Sequence, residues 1–266
     1  MLGTIADQTA AALERASLAR EMVTARSATE TERVRNTLLA SISHDFRTPL
    51  ASILGSATSL IDYGDKLGDK DRKNMLADIR DESEGLDQMV RNLLAMTRID
   101  AGALDVRRDW VDVREIVERV VGAARRRGAK HSMEVRLPPD LPMIRADAKL
   151  LEQALGNVVG NALAHTPADA RVVVDGEATP AAVLLRVTDD GPGIRPDMLP
   201  HAFEKFARAR SGDGGVADGG ESTGLGLAIA KGILQAHGGA IEALSPVANG
   251  RGTCVTLRFP REEVSP

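Results

Sequence analysis

His44 stands beside Asp45, with Thr48 and Pro49 just behind it, in the stretch Ser41-Ile42-Ser43-His44-Asp45-Phe46-Arg47-Thr48-Pro49-Leu50. A neutral imidazole is a nucleophile near neutral pH, because its reference pKa is about 6.5. Asp45 is placed to orient that ring and to accept a proton as charge develops. Pro49 has no backbone N–H, and in a helix its ring crowds the carbonyl of Asp45, so a weak point or kink is expected beside the histidine. The same residues would also suit a capped helix end. The choice turns on whether the chain offers His44 a reaction partner.

A second group of residues answers this. Asn157 and Asn161 lie four apart and share one helix face. Their amide oxygens are hard ligands that suit Mg²⁺, although a polar surface face would explain the pair equally well. Asp189-Asp190-Gly191-Pro192-Gly193-Ile194 follows an apolar strand. Gly191 and Gly193 permit close approach of backbone to a ligand. Asp189, ionised, only accepts hydrogen bonds, which suits the exocyclic amine of adenine and disfavours the carbonyl of guanine. A tight turn capped by Asp is the alternative. Residues 212–220 hold five glycines and two aspartates with no bulky side chain, the composition of a lid. Thr223-Gly224-Leu225-Gly226-Leu227 then opens a helix whose first N–H groups could receive phosphate oxygens. No Gly-Lys-Ser/Thr is present here, so this is not a P-loop.

The elements that must carry these groups are legible from periodicity. Residues 3–62 are nearly free of Gly and Pro and rich in helix formers, with a thin heptad seam at Leu2, Thr9, Ala16 and Val23. That seam reads as a coiled-coil linker over residues 1–29. Residues 62–70 break the helix, and a second one is expected from about Asp71 to Asp100, with an apolar stripe of Met75, Ile79, Leu86, Met89, Leu93, Met96 and Ile99. Such a hairpin, residues 30–102, buries one face only, so two copies should pair into a dimeric four-helix bundle. Beyond Gly102 strands and helices mix. Trp110-Val111 reads as a strand, Asp112-Val113-Arg114-Glu115 as a capping box, and helices are expected to about Arg127, from Asp147 to His165 and from about Gly224 to His237. Strands are expected at His131–Leu137, Arg171–Gly176, Ala182–Thr188, Ile241–Leu244 and Thr253–Phe259. This predicts an α/β two-layer sandwich over residues 106–261.

Composition narrows the classes. Aromatics are 2%, so nucleic-acid binding through base stacking has little to work with, and no long basic run offsets the net charge of −4; no nucleic-acid partner is expected. The single cysteine, Cys254, excludes an intrachain disulfide or a cysteine zinc cluster. No apolar run is long enough to span a bilayer, so the chain is expected to be soluble and cytoplasmic, with membrane contact only through regions absent from it. His131, His201 and His237 read as surface or packing residues.

Taken together, these motifs resemble the bacterial sensor histidine kinases, over roughly residues 30–261. His44 to Leu50 resembles the phosphoacceptor motif, and Asn157 to Asn161 the asparagine motif. Asp189-x-Gly191-x-Gly193 resembles the first glycine motif, Phe203-Glu204-Lys205-Phe206 the phenylalanine motif and Gly224-Leu225-Gly226-Leu227 the second glycine motif. Trp110-Val111-Asp112-Val113 and Phe203-Glu204-Lys205-Phe206-Ala207-Arg208-Ala209 are most similar to the potassium-sensing members, and residues 3–22 to the last helix of the GAF domain that precedes the kinase core there.

The resemblance implies a dimerisation and phosphotransfer hairpin joined to a Bergerat-type ATP-binding domain, with ATP and Mg²⁺ as cofactors. It implies autophosphorylation of His44 and transfer to an aspartate of a response regulator, with Thr48 positioning water for the reverse reaction. Asn161 would hold Mg²⁺, Asn157 would support metal and phosphates, Asp189 would bind the adenine amine with Thr253 nearby, and Arg208 would contact phosphate. The family's basic residue and aromatic after the last asparagine are replaced by Ala164 and His165. His165 can still stack on adenine, and Lys205, Arg208 or Arg210 is left to supply the missing cation. Asp190 replaces a common asparagine. An ATPase or clamp without histidine transfer, and a dimeric interaction module with a decayed site, are the competing readings.

Overall fold

The computed structural model describes residues 46–64, 66–126, 130–205 and 224–261, in two units that divide between Glu82 and Ser83. In the first unit, residues 46–63 are helical (α1). After a turn, α2 (Asp69–Asp100) begins, carrying Asp69 and Asp71 in its first turn, where they complement the helix dipole. It starts two residues before the position expected. Every residue of its anticipated stripe is half-buried or buried. Leu76, Val90 and Leu94 remain exposed.

The second unit is a two-layer sandwich. Its sheet runs in the order β2 (Ser132–Arg136), β4 (Arg171–Ala178), β5 (Ala182–Asp189), β7 (Thr253–Pro260), β6 (Ala240–Leu244). Only β2 and β4 pair in parallel, across a connection that contains a helix. Alternation places Val172 and Val174, Val183, Leu185 and Val187, and Val255, Leu257 and Phe259 on one buried face. The register sets Leu185 opposite Leu257 and Val187 opposite Val255. Cross-strand neighbours therefore meet the helices as one apolar surface.

Three helices cover that face. In α3 (Val113–Arg126) the buried residues are Val113, Ile116, Val117, Val120 and Val121. In α4 (Ala148–Ala164) they are Leu151, Ala154, Leu155, Val158, Val159 and Ala162. Both sets follow the three-and-four spacing of one helix face. The third helix, α5 (Gly226–Ala236), is buried almost all round and packs against α4. The end of α2 joins the same core through Ala95, Met96 and Ile99.

Two details depart from expectation. A three-residue strand, β3 (Ile144–Ala146), pairs with β1 (Asp109–Val111). The capping box is half formed: Asp112 accepts the Arg114 N–H at 2.8 Å, one residue short of Glu115. The Asp147 cap is complete, with its Oδ1 accepting from the amides of Lys149 and Leu150.

Candidate nucleotide-binding site

The site is assembled at the ends of α4, β5 and α5. Asp189 is the last residue of β5 and is buried at 9% exposure. Its Oδ1 accepts the amides of Gly191 at 3.0 Å and Thr253 at 3.3 Å. No described residue takes Oδ2, so one carboxylate oxygen is anchored and the other is left for a ligand. Burial pushes the Asp189 pKa up, opposed by those two amides, and the neighbouring charge of Asp190 adds to the rise.

Thr253 begins β7 directly opposite Asp189 in the sheet. Gly252, at φ +82°, precedes it and donates its amide to the Gly191 carbonyl at 2.8 Å. A Cβ on Gly252 would lie 2.5 Å from the Asp189 carbonyl oxygen. A Cβ on Gly191 would meet the Thr166 methyl at 2.4 Å. The glycines thus let the turn press against β7 on one side and the end of α4 on the other.

From α4, Asn157 sits against the start of α5, its Cβ 3.6 Å from the position a Gly226 side chain would take. The Asn157 Nδ2 is buried and has no hydrogen-bond partner among the described residues. A buried amide left open in this way is costly unless a ligand completes it. Asn161, one turn on, is half-buried and has no side-chain partner among the described residues. At the start of α5, Gly224 adopts φ +64°, and the Leu225 cap position offers no side-chain bond to the first amides of the helix. Those N–H groups are available to an anion.

His165 follows α4 at the exposed rim. Desolvation by the protein around its ring holds its pKa below the ordinary histidine value, against the pull of the Asp189 charge. Lys205, a candidate replacement for the missing cation, is paired with Asp100, its Nζ 2.5 Å from Oδ1. Thr48 is exposed on α1. His44, Asp45, Arg208, Arg210 and residues 212–220 lie outside the described residues, as does the Asp45 carbonyl that Pro49 would crowd.

The remaining histidines are structural or superficial. His237 is buried and uses both ring nitrogens, Nδ1 with the Ile233 carbonyl and Nε2 with the Asp147 amide. His131 Nε2 contacts the Thr166 carbonyl at 3.3 Å, and His201 pairs with Glu204 at the surface. Sequence reasoning did not anticipate Thr166, Ser245 or Gly252. A Gly-Thr pair before the last strand was the one signal available.

Comparison with known proteins agrees with this architecture. Residues 34–102 match the His Kinase A (phospho-acceptor) domain, and residues 146–263 match the histidine kinase-, DNA gyrase B- and HSP90-like ATPase family. Sensor protein KdpD of Clostridium acetobutylicum is 35% identical over 94% of this chain, which spans 27% of that relative's length. The mycobacterial sensor histidine kinase MprB is 33% identical, with a TM-score of 0.50, covering 57% of this chain and 97% of the solved one. ShkA, solved in complex with AMPPNP, is 29% identical with a TM-score of 0.58, over 84% of this chain and 45% of its own. With both domain families matched in order, and with the 33% identity to MprB covering 97% of that chain, the chain belongs to the sensor histidine kinases.

Proposed function

We propose that this chain is a kinase core that transfers the γ-phosphoryl group of ATP to His44 and passes it on to an aspartate of a response regulator. The observation that carries the nucleotide half is the anchored carboxylate of Asp189, with one oxygen tied to two amides and the other unclaimed among the described residues. An ionised Asp189 accepts from the adenine amine and repels the guanine carbonyl. His165 supplies a neutral ring at the rim for the base. The open Asn157 amide and the first amides of α5 receive phosphate oxygens.

Asn161 would hold Mg²⁺ through its amide oxygen, and the ion, shared with the phosphates, would supply charge neutralisation at the transferred group. In the transfer, a ring nitrogen of His44 forms the bond to the γ-phosphorus as the bond to the bridging oxygen breaks. ADP leaves with that oxygen, and Asp45 takes the imidazole proton. Most of the rate enhancement then comes from positioning and charge stabilisation. Thr48 serves the reverse, phosphatase reaction by positioning water.

The working form is a homodimer. Leu50, Leu54 and Ile61 are 53%, 68% and 82% exposed on α1, at spacings of four and seven, a face that a second copy would cover. Nucleotide recognition is tested by thermal stabilisation of the full chain. Mg-ATP should raise the melting temperature and Mg-GTP should not, and Asn161→Ala should abolish the metal-dependent part. Equal stabilisation by GTP, or an unaffected Asn161→Ala, would remove this reading.

A further inference from the structure

We infer that Ser245 is a positioning residue for adenine recognition, acting through the first glycine turn rather than on the nucleotide. It rests on the reading of Asp189 as the adenine acceptor. Ser245 is 8% exposed and lies just past the end of β6, far in sequence from the turn it meets. The Ile194 amide donates to Ser245 Oγ at 2.7 Å, and that hydroxyl donates to the Gly252 carbonyl at 2.9 Å. One hydroxyl therefore joins the end of the glycine turn to the residue that enters β7.

The geometry leaves no slack around this bridge. Gly193, at φ +82°, would put a Cβ 2.8 Å from Ser245 Oγ. On the other side of the bridge Gly252 donates to Gly191, and Thr253 donates to Asp189 Oδ1. The ring of contacts runs from Ser245 to Gly252, to Thr253, to the carboxylate, to Gly191 and back through Ile194. Ser245 closes it, so the direction of the unclaimed Asp189 oxygen depends on a side chain whose own hydrogen bonds both go to backbone. Removing the hydroxyl leaves the half-buried Ile194 amide and the buried Gly252 carbonyl without their partner, and the turn must move to recover them.

A merely structural role would lower stability without altering which base is preferred. The test is Mg-ATP and Mg-GTP affinity of the full chain, wild type against Ser245→Ala and Ser245→Cys. Ser245→Cys keeps a side chain in the gap while replacing the hydroxyl with a weak thiol donor. Phe259→Leu, at the far end of β7, is the control for lost stability. Both Ser245 variants should lose about tenfold in ATP affinity while GTP binding stays the same, so the preference for adenine falls. KM for ATP should rise more than kcat falls, and Phe259→Leu should leave the preference unchanged. Wild-type preference in Ser245→Cys, or the same loss of preference in Phe259→Leu, would overturn the inference. A wild type that binds neither nucleotide would instead overturn the adenine reading itself, and the inference with it.

Discussion

Asp189 carries two opposed demands. In the proposed role, accepting from the adenine amine needs its ionised form, yet burial raises its pKa. As pH falls, the site should lose ATP affinity above the range where an ordinary aspartate titrates. Stability responds in the opposite sense. The folded state holds this proton more tightly than the unfolded chain, so acidification through the raised pKa favours folding at this residue and weakens binding. Asp189→Asn should remove the first effect in a pH titration of nucleotide binding and the second in urea unfolding followed across the same pH range. An asparagine there keeps an oxygen for the Gly191 and Thr253 amides and turns an NH₂ toward the ligand. ATP affinity should drop about 10- to 100-fold while GTP binding improves. Gly252→Ala should cost about 1–3 kcal/mol in chemical denaturation, since φ +82° and a carbonyl oxygen at 2.5 Å both oppose a Cβ. Asp189 and its glycines were legible in the sequence because they are local: the strand, the acid and the turn adjoin. Ser245 was not, because its partner Ile194 lies 51 residues away, and no local pattern marks a serine for a long-range backbone bridge.

At the scale of elements, α3 and α4 were legible because each buries residues at three-and-four spacing, whereas α5, buried almost all round, was marked by the glycines that open it. Periodicity missed β3, because three residues are too few to display an alternation. It also left His237 without a task. Placed at the C-cap of α5, this residue reaches the amide of Asp147, whose carboxylate caps α4 and also accepts the Arg107 amide at 3.2 Å. One ring thereby ties the end of α5 to the start of α4. His237→Ala should destabilise the unit by about 2–4 kcal/mol, through a cavity and an unpaired buried amide, measured by urea unfolding. The α2 end is held to the same unit by Ile99, which fills the space beside Gly232, and by the Lys205–Asp100 pair. Lys205 is thus engaged with a carboxylate in this arrangement, a partner that only the fold could reveal.

At the scale of the whole molecule, the exposed leucines of α1 imply a partner surface, and no described helix is long and apolar enough to cross a membrane. Leu54→Glu should shift sedimentation from dimer toward monomer and leave Mg-ATP affinity within about twofold, because the candidate nucleotide site is built from residues of the second unit alone. The two domain families belong together only if the nucleotide held by one reaches the histidine of the other. Incubation of the full chain with γ-labelled ATP and Mg²⁺ tests that most directly. Wild type should acquire an acid-labile, base-stable label. His44→Ala should acquire none while still being stabilised by Mg-ATP. Label that persists in His44→Ala, or nucleotide turnover with no labelled protein in the wild type, would contradict the assignment of His44 as the phosphoryl acceptor.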